Sequence, residues 1–133
     1  MNTAPAQAPL VPISWGELLD KITILEIKVE RLKGKLAIAN VTTELNLLSE
    51  IANSLEHSPE TSTLVARLKV LNETLWQIEN DIRELERSRK FDSAFVELAR
   101  SIYRLNDERA AVKRALNVAF GSKIIEEKSY NSY

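Results

Sequence analysis

The stretch that decides the fold is Val11–Lys28, VPISWGELLDKITILEIK. It opens with a helix-start signal: Ser14 is placed as N-cap, with Glu17 three residues on as its reciprocal partner in a capping box. Ile13 before the cap and Leu18 at N4 are spaced for a hydrophobic staple. Leu18, Ile22, Leu25, Val29, Leu32 and Leu36 then recur in alternating steps of four and three. That is the stripe of a helix packed in coiled-coil fashion. Ile24 and Ile27 fall on a second face. This helix is therefore expected to touch partners on two sides and to be the hub of the fold.

Residues 1–10, MNTAPAQAPL, have neither the basic start nor the apolar core of a signal peptide. They read as a disordered leader ahead of a single helical domain at 11–133. After Leu36 the stripe changes phase, and Val41, Leu45, Leu48, Ala52 and Leu55 form a new one. One straight helix cannot hold both stripes against one partner, and Gly34 suits a helix end. The region divides into helix 1, Trp15 to about Lys33, and helix 2, about Lys35–Glu56. A fused long helix is the alternative. His57-Ser58-Pro59-Glu60 starts helix 3: Ser58 caps, and Pro59 takes the first helical position, where its missing N–H costs nothing. Leu64, Leu68, Leu71, Leu75, Ile78, Ile82 and Leu85 carry helix 3 to about Lys90. Asp92 caps helix 4, whose stripe is Phe95, Leu98, Ile102, Leu105, Arg109, Val112, Leu116 and Ala119, with Gly121 ending it. The expected fold is all-α, an antiparallel four-helix bundle with coiled-coil-like packing. Three long helices, with helices 1 and 2 fused, are the alternative.

Composition narrows the function. A net charge of −1 gives no bulk attraction to a polyanion, so no nucleic-acid partner is expected. The absence of Cys excludes disulfides and thiolate nucleophiles. No apolar run approaches the length of a membrane span, so a cytoplasmic location without membrane insertion is expected. There is no Glu-x-x-His pair, no Gly-rich phosphate loop and no G-x-S-x-G elbow. Accordingly no metal and no cofactor are expected, and His57, the only histidine, reads as a surface residue at a helix end.

The candidate site residues are charges in apolar places. Arg109 lies on the stripe of helix 4, and Glu26 on the apolar face of helix 1. A charge on a buried stripe is either paired or held ready for a ligand. If helices 1 and 4 are antiparallel with Trp15 level with Ala119, Glu26 falls opposite position 108. A buried Glu26–Arg109 salt bridge is therefore predicted. Lys21 and Lys28 along helix 1, with Asn106 and Asp107 beside Arg109, complete a candidate ligand set for an anionic metabolite. Trp15, Trp76, Ile24 and Ile27 are the candidate interface residues. Gly16, a poor helix former in a first turn, implies close packing there or access for an anion to open amides. In an up-and-down bundle Ile124 and Ile125 return to Val11 and Ile13. The two extended segments are expected to touch there, a short strand pair being one form of that contact, with Tyr130 closing over Trp15 or its neighbours.

Three segments carry a family resemblance: the hub Val11-Pro12-Ile13-Ser14-x-Gly16-Glu17-Leu18-x-Asp20-Lys21-Ile22-Thr23-Ile24-Leu25-Glu26-Ile27-Lys28, then Leu105–Arg109, then Glu126–Tyr130. Together they make the chain similar to a family of small uncharacterised bacterial all-α proteins. The resemblance implies that Glu126–Tyr130 belongs to the folded domain. It implies no activity, only an association with sugar-transfer and surface-polysaccharide functions. The expected function is a non-enzymatic helical interaction module, accessory to such pathways, that self-associates as a homodimer or binds another protein. The alternative is a small helical enzyme or binding protein for an anionic metabolite, using charged side chains alone.

Overall fold

The computed structural model describes residues 4–133, and no regular secondary structure occurs before Trp15. Met1–Thr3 of the expected leader lie outside the described residues. Four helices follow: α1 Trp15–Arg31, α2 Lys35–Ala52, α3 Pro59–Arg87 and α4 Ser93–Ala119. Among the described residues there is no strand. No helix there is long and apolar enough to cross a membrane.

The helix ends follow the local chemistry. Ser14 Oγ accepts the Glu17 N–H at 3.1 Å. The Glu17 carboxylate does not return to the cap; it takes a 2.6 Å hydrogen bond from Lys113 on α4. At α3, Ser58 and Thr61 cap each other reciprocally, and at α4 Asp92 Oδ1 accepts from the Ala94 N–H at 3.1 Å. Between α1 and α2, Gly34 has φ 103° and ψ 127°, a conformation that a side chain makes costly. The chain breaks there, so the four-helix division holds and the fused helix does not form.

α1 packs against all three other helices, and α3 and α4 pack on each other. The expected hub is therefore in place. α1 runs antiparallel to α4, because Gly16 meets Asn117 and Asp20 meets Arg109. Its polar partners on α3, by contrast, stay between Lys69 and Glu73 while α1 advances from Asp20 to Arg31. Hence α1 crosses α3 obliquely. α2 packs on α1 alone, and none of its residues is buried.

The apolar core is compact and sits at one end. Leu19, Leu68, Leu71, Val112 and Leu116 form its main cluster, with Ala52, Leu55, Leu64, Val65, Leu105 and Phe120 packed against it, and Leu18, Leu25, Ile27 and Leu75 are also buried. The last buried residue of α3 is Leu75 and the first of α4 is Val112. Beyond them the two helices continue as a hairpin whose inner positions, such as Ile82 and Leu98, are only half-buried. With 29 residues, α3 is about 44 Å long, against about 26 Å for the 17 residues of α1. The hairpin therefore projects past the core.

The expected strand pair is absent. Ile124 and Ile125 remain substantially exposed, as do Val11 and Ile13. The two regions meet through one polar contact, the Trp15 N–H to Ser122 Oγ at 3.4 Å. After Gly121 the chain turns back along α4, drawn by Glu126–Lys113 and Glu127–Arg114 ion pairs. Tyr130 follows that route and is 78% exposed, so it does not cover Trp15.

The α3–α4 turn carries a residue in the left-handed region. Arg89 has φ 53°, and its N–H reaches Glu86 O at 3.0 Å while that of Lys90 reaches Leu85 O at 2.9 Å. This is a Schellman ending, in which glycine is the favoured residue. α4 ends the same way with Gly121 at φ 64°. Arg89→Gly is expected to stabilise the fold by about 1 kcal/mol, the cost of a side chain in that conformation. An unchanged or lower melting temperature would mean that the Arg89 side chain offsets its strain.

Candidate functional site

Among the described residues the most buried charge is Asp20, 1% exposed, on α1. It is held from three helices. Asn72 Nδ2 of α3 donates to Asp20 Oδ1 and to Thr23 Oγ1, both at 2.9 Å. Thr23 Oγ1 in turn donates to the Asp20 carbonyl at 2.8 Å. From α4, Arg109 Nε donates to Asp20 Oδ1 at 2.9 Å, and its Nη2 donates to Oδ2. Lys113 Nζ lies 3.9 Å from Asp20 Oδ2 and 3.3 Å from Glu126 Oε2. Among the described residues, no buried side-chain nitrogen or oxygen lacks a partner. The cluster thus satisfies itself, as a buried polar network must to be stabilising.

The electrostatics follow from that geometry. Burial pushes the Asp20 carboxyl up, but the hydrogen bonds from Arg109 and Asn72 and the charges of Arg109 and Lys113 outweigh it and hold its pKa below the ordinary value. For Lys113, burial lowers the pKa, yet Glu17, Asp20 and Glu126 together raise it. The hydrogen bond to Asp20 does most to raise that of Arg109. All three groups are charged at neutral pH.

Gly16 shows close packing. Its N–H donates to Asn117 Oδ1 at 2.6 Å, so it is not an open amide for an anion. A Cβ on Gly16 would sit 2.4 Å from the Lys113 carbonyl oxygen. The first turn of α1 therefore lies directly on the backbone of α4.

The candidate residues divide. Arg109 and Asn106 belong to the cluster, with Asn106 Oδ1 accepting from Arg109 Nη1 at 3.3 Å. Lys21 pairs with Glu17 at 3.8 Å, and exposed Asp107 accepts a hydrogen bond from the Tyr133 hydroxyl. The predicted Glu26–Arg109 bridge does not form. Neither Glu26 nor Lys28 makes an ion pair among the described residues. The antiparallel register is as expected; the face is not. Asp20 and Glu26, six residues apart, point about 120° apart around the helix, and Asp20 is the one turned to α4. Of the interface candidates, Ile27 is 1% exposed and belongs to the chain's own interior. Trp15, Ile24 and Trp76 are half-buried.

Sequence reasoning missed Asp20, Thr23, Asn72, Lys113 and Asn117. A signal was present: Gly16, Asp20, Thr23 and Ile27 recur at helical spacing and are all buried. Asn106, Arg109, Lys113 and Asn117 recur at the same spacing along α4, the first three half-buried and Asn117 buried. These are two polar seams facing each other, and a search for apolar stripes passes over both.

On the other side of Arg109 and Lys113 a cavity of about 640 Å³ opens between α4 and the segment that follows it. Glu126 and Glu127 pin that segment to α4, and Tyr133 stacks edge-on against Tyr103 with ring centres 5.1 Å apart. The three stretches that carry the resemblance meet here: Asp20 of the hub behind Arg109, and Lys128 and Tyr130 across the opening. Among the described residues, no group of His, Asp or Glu has the arrangement to hold a metal ion.

These features define a small all-α protein whose central charged cluster is an internal lock between helices. The chain belongs to DUF6165, a family of unknown function, with which residues 10–133 match. No curated protein and no solved structure matches it significantly.

The lock makes two predictions. Asp20→Ala is expected to cost about 3–5 kcal/mol, because Arg109 is left half-buried without its counter-charge. Adding Arg109→Met should deepen the loss by much less than Arg109→Met costs alone. Additive free energies in that double-mutant cycle, measured by urea unfolding, would reject the lock. Because the folded pKa of Asp20 is lowered, its contribution is fully present above the ordinary Asp range, near pH 4. It is lost as pH falls through that range towards the folded value, and Asp20→Asn should flatten this acid limb. Separately, Gly16→Ala should destabilise by about 2 kcal/mol through overpacking, despite the better helix propensity of Ala. An unchanged or raised melting temperature would show that α1 and α4 separate freely.

Proposed function

We propose that the protein is a non-enzymatic helical interaction module that works as a homodimer, joined through the uncovered face of α2. The observation that carries this reading is an inversion. α2 has three charged residues, Lys35, Glu44 and Glu50, among its 18, the lowest charge density of the four helices, yet it alone has no buried residue. Leu36, Leu47 and Ile51 share one stripe and are 76%, 59% and 54% exposed.

The surface area is that of an open shape. The chain exposes 9696 Å², against roughly 7,100 Å² for a compact monomer of 15.1 kDa. The extended segments before Trp15 and after Gly121 contribute to that excess, alongside the uncovered face of α2. Antiparallel pairing of two α2 helices about a two-fold axis is self-complementary. It sets Leu36 of one copy near Ile51 of the other and brings Lys35 towards Glu50. The non-enzymatic part rests on the Asp20 cluster, whose carboxylate is fully engaged by its own helices.

Light scattering after size-exclusion chromatography tests this directly. A mass of twice 15.1 kDa is expected at micromolar concentration, and a Leu47→Glu, Ile51→Glu double variant should run as a monomer with its helical circular dichroism retained. A monomeric parent protein, or a dimer indifferent to both substitutions, would overturn the proposal.

A further inference from the structure

The cavity between α4 and residues 128–133 has a lining that neither the fold nor the proposed dimer requires. All three tyrosines of the chain, Tyr103, Tyr130 and Tyr133, line it. Three cations, Arg109, Lys113 and Lys128, face the same space, against one carboxylate, Asp107, which is already engaged by the Tyr133 hydroxyl. The counter-charges Asp20, Glu17 and Glu126 stand behind the cations and not in the lining. They hold the cationic groups in position without filling the cavity.

The donors are not exhausted. Arg109 has five N–H groups; two go to Asp20 and one to Asn106, leaving one on each terminal nitrogen. Lys113 uses two of its three on Glu17 and Glu126. Lys128 is paired with Glu126 at 3.1 Å and lies 5.7 Å from the Tyr130 ring centre, leaving donors unused. Several N–H donors from arginine and lysine converging on one space suit the oxygens of a phosphoryl group. Beside them Tyr130, 78% exposed, offers a ring face to a planar group. A volume of about 640 Å³ lies within the range of small-molecule sites.

We propose that this cavity binds a nucleoside diphosphate, its phosphates on Arg109, Lys113 and Lys128 and its base against Tyr130. A small molecule fits better than a nucleic-acid strand. The net charge is −1, and Glu108, Glu126 and Glu127 surround the basic groups with carboxylates, whereas strand binding requires a continuous basic track.

The test is calorimetric titration of the full chain with ADP, GDP, CDP and UDP, alongside the parent nucleosides and inorganic pyrophosphate. At least one diphosphate should bind with a submillimolar Kd. The matching nucleoside and pyrophosphate should each bind at least tenfold more weakly, since each supplies half of the contacts. Lys128→Gln and Tyr130→Ala alter exposed side chains and should leave the thermal unfolding curve unchanged while weakening binding at least fivefold. Tyr130→Phe, which keeps the ring, should bind as the parent does. The proposal is overturned if no diphosphate binds at millimolar concentration or if pyrophosphate binds as tightly as the diphosphate. It is equally overturned if neither Lys128→Gln nor Tyr130→Ala weakens binding, or if a single-stranded oligonucleotide binds more tightly than any diphosphate.

Discussion

The contact on which the rest depends is the paired hydrogen bonding of Arg109 to Asp20. Removing a carboxylate from water costs several kcal/mol, which a buried structure recovers only with good geometry and further hydrogen bonds. Here Asn72 supplies the further hydrogen bond from α3, and Lys113 adds its charge from α4, 3.9 Å from Asp20 Oδ2. The apolar core alone would specify the arrangement weakly. Nine buried apolar side chains favour contact between helices without choosing among nearby registers, because apolar attraction has no direction. The carboxylate chooses. A shift of α1 by one turn along α4 would leave Asp20 buried without Arg109, and would drive the Gly16 turn away from Asn117.

The elements could be read from the sequence because their ends are local chemistry. Ser14, Ser58 and Asp92 each place an oxygen where a free helix N–H needs it, and Gly34 supplies a conformation that the interior of a helix cannot use. The antiparallel register of α1 and α4 followed from counting residues. What counting could not supply was rotation about the helix axis. Glu26 and Asp20 are both acidic, both on α1 and both near apolar positions. Only the close approach at Gly16 determines which of them faces α4, and that depends on a contact a hundred residues away in sequence. The segment after Gly121 escaped for a related reason. Its apolar pair Ile124–Ile125 suggested docking, but the adjacent Glu126 and Glu127 follow the cations of α4.

The lock also links the two ends of the chain. Lys113 bonds Glu17 in the first turn of α1 and Glu126 beyond α4, so one ammonium joins segments far apart in sequence. Glu17 gave up the second half of its capping box for this, a local bond exchanged for a tertiary one. Hydrogen bonds to a charged partner are stronger than neutral ones, which favours the exchange.

The projection of the α3–α4 hairpin makes it a lever. The crossing of α1 on α3 lies at Asn72, and the helix continues from there to its cap at Ser88, roughly 24 Å further on. Beyond Leu75, the last buried residue of α3, that length packs against α4. A tilt of about 5° at the crossing carries the turn at Arg89 through about 2 Å, by the rise of a straight helix. The fulcrum is the same Asp20–Asn72–Arg109 contact that holds the fold together, so the stiffness of this arm is set by a few polar side chains at its base.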